Sequence, residues 1–465
     1  MITYSYPSEK KEECGIIAII SKKGEDVAPA VYRSLIALQH RGQDAAGMVV
    51  SDGKTLKPQK GIGLVSDIYT GGLHVNGHIG IGHTRYPTTG ACNIEDVQPS
   101  IYENIAVTHN GHLANYDLVK KSLEQRGFRF TATVDSELIA FLLSEKIKQG
   151  PKEAVKNVME NLDGAYSDAA IMNGELYIFR DPFAIRPLCW GENEEYIAFA
   201  SESVALDVNG IPYKGEVEPG EMIKVTKNGL QRESVLKKGT LHCMFEYVYF
   251  SRPDSIVNGK YVYEVRKNLG KVLAEEQPAK ADIIVAVPDT SRTAAEEYSR
   301  TLNIPIEEAL IKNRYVARTF IMPTQEKRVQ AVRMKLNPVK GIVEGKRVVL
   351  VDDSIVRGTT LREIVTLVKN AGATEVHVRI TSPPIVSPCF YGVDMPTYKE
   401  LIASNKSIEE VRKFIGAESL GYLSVDGLKK AIGLPICSGC IDGGYPTEYA
   451  KKLAETKKGV PNGCG

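Results

Sequence analysis

The chain carries almost no excess of charge of either sign. Its 58 lysines and arginines face 57 aspartates and glutamates, a formal net charge of +1 over 465 residues. That balance provides no field to steer nucleic acid or to hold an anionic membrane surface, so neither is an expected partner. Long hydrophobic runs are lacking too. None approaches the roughly 20 residues of a membrane span, and the leading MITYSYPSEKKEE has no apolar stretch of the secretory kind. A soluble cytoplasmic protein is expected. There is no internal repeat or low-complexity segment, which excludes solenoids and arrays. Eight cysteines in such a compartment do not imply a disulfide framework. They have to be sorted into nucleophile, metal ligand and core filler.

What is present is an apolar content of 43%, enough for well-formed cores, in a chain longer than one core serves. Two domains are the default. Up to about residue 235, GIIAII, GMVVSD, HIGIGHTRYP, NIAVTHNGH, SDAAIMNGELYIFRD and YIAFASES read as short strands closed by turn residues. Helical patterns interrupt them at VAPAVYRSLIALQHRG and DSELIAFLLSEKIKQG. This predicts a layered α+β domain on antiparallel sheets over residues 14–235. After about residue 240, strand-like ADIIVAVPD, KRVVLVDD and TEVHVRITSP alternate with helical TAAEEYSRTL and LREIVTLVKNAG. That alternation marks βαβ units and a parallel sheet, so an α/β domain is expected over 236–465. The boundary should fall between Val225 and Cys243, and a mixed helical tail should run from Tyr398 to the C-x-x-C at Cys437.

The most informative run is Val348 to Thr360, VVLVDDSIVRGTT. Apolar β-branched residues end in two carboxylates, Asp352 and Asp353, followed by a turn with Gly358 and then Thr359 and Thr360. A buried parallel strand, a loop and a helix are predicted. Ligands of open α/β sheets collect at the carboxyl ends of strands. There the two acids can accept bonds from vicinal sugar hydroxyls. The loop amides and the hydroxyls of Ser354, Thr359 and Thr360 can hold a phosphate at the helix N-terminus. No Gly-Lys-Ser/Thr follows the turn, so this is not a nucleotide P-loop, and G-x-G-x-x-G is missing as well.

Cys14, at the start of CGIIAII, taken alone reads as a buried strand cysteine. Arg85 in GHTRYPTTG, Asn110 and Gly111 in THNGHLAN, and Asp135 in TVDSE change that reading. A glutamine hydrolase needs a thiolate, an oxyanion hole, and groups that grip both charged ends of the amino acid. Arg85 suits the α-carboxylate through its forked donors, and Asp135 suits the α-ammonium. The Asn110 side-chain amide and the Gly111 N–H suit the tetrahedral oxyanion. His83, His109 and His112 lie near these motifs, without an obvious base among them. If Met1 to Glu13 is removed, the α-amino group of Cys14, with a pKa of ~7.7–8.0, can take the thiol proton itself.

The Val348–Thr360 run closely resembles the 5-phosphoribosyl-1-pyrophosphate (PRPP) motif of type I phosphoribosyltransferases. The front half resembles the class II, N-terminal nucleophile (Ntn), glutamine amidotransferase domain, and QHRGQDAAG at Gln39–Gly47 and RDPFAIRPL at Arg180–Leu188 match it too. Together the halves resemble the glutamine PRPP amidotransferase family over nearly the whole chain. The resemblance implies an αββα Ntn domain followed by a type I phosphoribosyltransferase domain, with Met1 to Glu13 as a propeptide. It implies glutamine and PRPP as substrates, and 5-phosphoribosylamine, glutamate and pyrophosphate as products, with ammonia passed internally. In that family Asp352 and Asp353 would hold the ribose hydroxyls and Mg²⁺, and Ser354 to Thr360 would wrap the 5-phosphate. Thr290, in VPDT, would meet pyrophosphate and metal. Lys312 begins KNRYVART, a flap over PRPP in the family, and Arg333 and Lys335 are further phosphate candidates. Purine nucleotide inhibition and a homotetramer are family expectations as well.

Cys437-Ser-Gly-Cys440 alone is open to zinc, redox chemistry or chance, and sequence physics does not connect it to the distant Cys243 and Cys389. The resemblance does: one branch of the family holds a [4Fe–4S] cluster with four cysteines in these contexts, the usual donor set for such a cluster. Cys92 and Cys189 are then core filler and Cys464 a tail thiol. Two other readings are a PRPP-sensing repressor and a different class II amidotransferase. The first would carry a basic DNA-binding module in place of the hydrolase set, and the second would lack the PRPP run.

Overall fold

The computed structural model describes residues 14–86, 93–313, 334–395 and 397–458. The front half is built on two antiparallel sheets. In the seven-stranded sheet the strand Gly15–Ser21 lies between Tyr196–Ala200 and Ile79–Arg85. In the six-stranded sheet Ile105–Leu113 lies between Ser100–Tyr102 and Gly164–Met172.

Alternation along these strands sorts the side chains into layers. Ile16, Ala18 and Ile20 meet Ala106, Ala169 and Ile171 between the sheets. Ile17 and Ile19 face the other way, against the helix Ala28–Ala37. Ile105, Val107 and Leu113 face the helices Asp135–Lys146 and Pro151–Asn161. The result is helix, sheet, sheet, helix, the expected Ntn layering.

The second half centres on a parallel sheet in the order Ile283–Ala286, Arg347–Asp352, Glu375–Ile380, Ser419–Tyr422. Val348 to Val351 in its second strand are fully buried, which is why that stretch reads as unbroken hydrophobic sequence rather than alternation. The last strand corrects the expectation of a helical tail after Tyr398. Ser-Leu-Gly-Tyr is too short and contains too small a residue to announce itself as a strand. The open edge of Glu375–Ile380 recruits it. No helix among the described residues is long and apolar enough to cross a membrane.

The halves share a core. Ala165 and Ile185 of the sandwich pack with Tyr247, Val248, Leu269 and Tyr391 of the second half. The short strands His242–Cys243 and Ile436–Cys437 pair in parallel, fastening the tail to the junction.

Candidate active sites

The strand carrying Cys14 sets its position. Gly15 is opposite Thr84 in the antiparallel register, so Cys14 lies at the level of Arg85. Cys14 and Arg85 continue the faces of Ile16 and Ile81, and Asn110 continues that of Ala106, all toward the space between the sheets. The three therefore share one end of the inter-sheet slot. The Cys14 thiol contacts the Tyr86 carbonyl at 3.8 Å. Burial pushes that thiol above its ordinary range, against downward pulls from the Tyr86 contact, Arg85 and Arg41. A thiol held protonated in this way needs a base.

None of the three nearby histidines bonds to the thiol. His83 is fully buried between the sheets, where burial and the neighbouring Arg85 drive it well below the usual imidazole range. His109 faces the helix layer, its Nδ1 2.8 Å from Asp168 and its Nε2 3.6 Å from Asp135. Burial disfavours its charge, but the two carboxylates outweigh that and raise it to about 10. His112 is 3.6 Å from Asp135.

Asp135 opens its helix and accepts the Leu113 N–H at 2.9 Å. Burial favours its neutral form, but His109, His112 and that N–H hold it below the ordinary carboxylate range. Arg85 is 3.8 Å from Asp96, which also accepts the N–H and hydroxyl of Thr133, two residues before Asp135. The groups proposed to grip the two ends of glutamine are thus braced by one loop. Gly111 is obligatory in its place, since a Cβ there would come within 1.9 Å of the Ala165 carbonyl oxygen on the adjoining strand. Any side chain would force the strands apart.

In the second half, Asp352 ends the central strand, and it and Asp353 are nearly buried, at 7% and 2% exposure. They border a cavity of about 860 Å³ together with Thr290, Lys312, Ser354, Gly358 and Thr360. The hydroxyls of Thr290 and Ser354 donate to the two oxygens of Asp353 at 2.5 and 2.7 Å, and the Asp353 N–H donates to Asp352. Gly358 adopts φ 77° as the N-cap of the helix Thr359–Asn370, a left-handed turn that glycine takes without strain. Lys312 reaches into the cavity mouth and pairs with Asp289 at 2.5 Å. Thr359, the first residue of the helix, does not line the cavity, and neither does Lys335. Arg333 and the flap beyond Asn313 lie outside the described residues.

The oxygen-rich donor set of Asp352, Asp353 and Thr290 suits a hard cation. Mg²⁺ typically takes one or two carboxylates and completes its shell from phosphates and water, and the residue types here fit it.

Residues 89–208 match the model of a glutamine amidotransferase domain, and residues 254–381 that of a phosphoribosyl transferase domain. The chain is 46% identical to the amidophosphoribosyltransferase of Methanothermobacter thermautotrophicus, over 96% of this chain and 97% of that one. It is 49% identical to the enzyme of Methanocaldococcus jannaschii, over 94% and 98%. The chain belongs to the amidophosphoribosyltransferase family. As a member it is a glutamine-dependent transferase of the first step of purine biosynthesis. The solved glutamine PRPP amidotransferase of B. subtilis, complexed with ADP and GMP, superposes with a TM-score of 0.88 at 46% identity, covering 94% of this chain and 98% of that one.

An amidophosphoribosyltransferase has to join its two sites, and a buried ion cluster does so here. Arg41, from QHRG, is fully buried. Its Nε donates to the Cys14 carbonyl at 3.0 Å, and its other donors reach Glu202 at 2.6 Å and Glu246 at 2.8 and 2.9 Å. Glu202 belongs to the sandwich and Glu246 to the second half. Burial opposes the Glu246 charge, but Arg41 and Arg186 hold it below the carboxylate range. Arg41 also lines the cavity bordered by Asp352 and Asp353. Nothing within QHRGQDAAG announces this role, because the partners lie 161 and 205 residues away.

Cys243, Cys389, Cys437 and Cys440 all line one small cavity beside Tyr391 and Tyr445, and all are free thiols. Burial raises Cys389 to about 11, and nearby Cys243 adds to that. Burial likewise raises Cys437 and Cys440, with the other cavity thiols contributing. Four cysteine thiols on one cavity are the usual donor set of a [4Fe–4S] cluster, so the residue types present fit that group. Cys189 is buried in the sandwich core, while Cys92 and Cys464 lie outside the described residues.

Removing Glu246 would leave Arg41 and Arg186 buried without their shared carboxylate. Breaking a buried pair in this way costs ~3–5 kcal/mol. Glu246→Ala should lower the denaturation midpoint accordingly, and an unchanged urea midpoint would show that the cluster is not structural.

Proposed function

We propose that Cys14 is the glutaminase nucleophile and that it acts only as the first residue of the chain. The carrying observation is that Cys14, Arg85 and Asn110 share one slot while Arg41 connects that slot to the cavity bordered by Asp352 and Asp353. With residues 1–13 removed, the Cys14 α-amine takes the proton of the burial-raised thiol. The thiolate attacks the glutamine amide carbon, Asn110 and Gly111 receive the oxyanion, and the protonated amine returns its proton to departing ammonia. Arg85 holds the α-carboxylate and Asp135 the α-ammonium. Water then releases glutamate from the thioester.

Ammonia moves internally to the second cavity and forms the new bond at C1 of PRPP as the bond to pyrophosphate breaks. Asp352 and Asp353 accept the ribose hydroxyls, and Ser354 to Thr360 hold the 5-phosphate against the helix N-terminus. Thr290 and Lys312 face the pyrophosphate. Bound Mg²⁺, held by Asp352, Asp353 and Thr290, would supply charge neutralisation for that leaving group. Burial of the cavity floor limits competition from water. The cysteine quartet would hold a [4Fe–4S] cluster whose role is to pin the tail to the junction. A cytoplasmic location and assembly as a homotetramer belong to the same reading. The complex of the B. subtilis relative with ADP and GMP supports purine nucleotides as ligands here.

In the chain processed to Cys14, Cys14→Ala should abolish glutamine-dependent synthesis while keeping synthesis from added ammonia. Asp352→Asn should lose both. Full glutamine use by Cys14→Ala would overturn the nucleophile assignment. Protein purified without air should contain stoichiometric iron and acid-labile sulfide, and Cys437→Ser should lose both. Iron content unaffected by that substitution would exclude the cluster at this site. Calorimetric titration with ADP and with GMP should give saturable binding, and flat titrations with both would remove the nucleotide reading.

A further inference from the structure

We infer that Ser201 is a positioning residue for the glutaminase reaction: its hydroxyl aims the Asn110 amide at the oxyanion and ties that amide to the nucleophile strand. This rests on the reading of Asn110 as an oxyanion donor. Ser201 directly follows the strand Tyr196–Ala200 and is 1% exposed. It bonds twice to Ile16, two residues beyond Cys14. Its N–H donates to the Ile16 carbonyl at 3.1 Å, and its Oγ accepts the Ile16 N–H at 3.0 Å. The same Oγ stands 3.1 Å from the Asn110 amide nitrogen, across to the other sheet. One hydroxyl therefore touches both the strand that carries the thiol and the side chain that faces it.

The count of donors and acceptors gives the orientation. With Nδ2 toward Ser201, the Asn110 Oδ1 is buried without a partner, and the Ser201 proton has no acceptor. The two ends of a carboxamide are nearly alike in shape, so bonding decides between them. Turning the amide lets Ser201 donate to Oδ1, satisfying both groups at the same distance. It also frees both hydrogens of Nδ2 for the slot. A buried polar group left unsatisfied is costly. Once the developing oxyanion takes the Nδ2 hydrogens, the turned amide is satisfied at both ends, whereas the unturned one strands Oδ1 and the Ser201 proton. Ser201 therefore selects the turned state. Neither Gly111 nor the backbone offers the Oδ1 another donor among the described residues.

The test compares Ser201→Ala, Asn110→Ala and the double variant in the processed enzyme, using glutamine hydrolysis and ammonia-dependent synthesis. Asn110→Ala should lower glutaminase kcat by roughly 10²–10³-fold, the usual loss for one oxyanion donor. Ser201→Ala should lower kcat by about tenfold or more with little change in glutamine KM, because the amide acts in the transition state. The double variant should be no worse than Asn110→Ala, since the hydroxyl acts through that amide. Ammonia-dependent synthesis should be unchanged throughout. If Ser201→Ala also loses ammonia-dependent synthesis, Ser201→Cys carries the same comparison, being close in size and a weaker donor. A Ser201 variant with kcat within about twofold of the parent, a loss confined to KM, or losses that multiply in the double variant would each overturn the inference. If Asn110→Ala itself keeps full glutaminase activity, the oxyanion reading fails first, and that result is distinct from failure at Ser201.

Discussion

The arrangement depends on one buried guanidinium. Arg41 donates to the Cys14 carbonyl, to Glu202 in the sandwich and to Glu246 in the second half. Arg186 stands 3.7 Å from Glu246 as well. Charges this deep cannot be hydrated, so each must keep its partners. That requirement ties the backbone at Cys14 to the other domain through directional bonds that apolar packing alone does not provide. The same requirement puts the guanidinium on the wall of the cavity bordered by Asp352 and Asp353, beside the strand that begins after Cys14.

Around that tie, each centre is made by a different property of its sheet. In the sandwich, strand alternation sends Cys14, Arg85 and Asn110 into the slot and sends His109 to the opposite face of its own strand. His109, one of three histidines near these motifs, thereby stands against Asp135 and Asp168 and away from the thiol. In the parallel sheet, the buried strand delivers its two acids together at the carboxyl end. Thr290 from the neighbouring strand-end loop then orients Asp353. Antiparallel alternation selects faces, whereas parallel strand ends gather loops.

Much of the candidate site was legible because its residues are close in sequence. Asp352 to Thr360 run without a break from the strand end through a loop into the next helix, and only Thr359 among them departs from the expected cavity lining. A layered α+β domain on antiparallel sheets followed from alternating strands and the parallel sheet from the βαβ rhythm, while the αββα Ntn order came from the family resemblance. The strand Ser419–Tyr422 was not legible, since four residues carry no usable period and an existing sheet edge supplies the pairing. Glu202, Glu246 and Ser201 were equally silent. An acid or a serine in sequence has no preferred partner until folding removes water from around it.

By itself, the sequence determined the order of elements, the two acids at a strand end, and the set of residue types that a glutamine hydrolase requires. Those are local patterns, and hydrophobic period and turn chemistry encode them within a few neighbouring residues. Tertiary structure alone decided that Cys243, Cys389, Cys437 and Cys440 border one cavity, that His109 serves Asp135, and that Arg41 spans both halves. Each of these joins groups far apart along the chain. Their attraction becomes decisive only in a desolvated interior, where an unpartnered polar group is costly and a partner in the right place is held firmly.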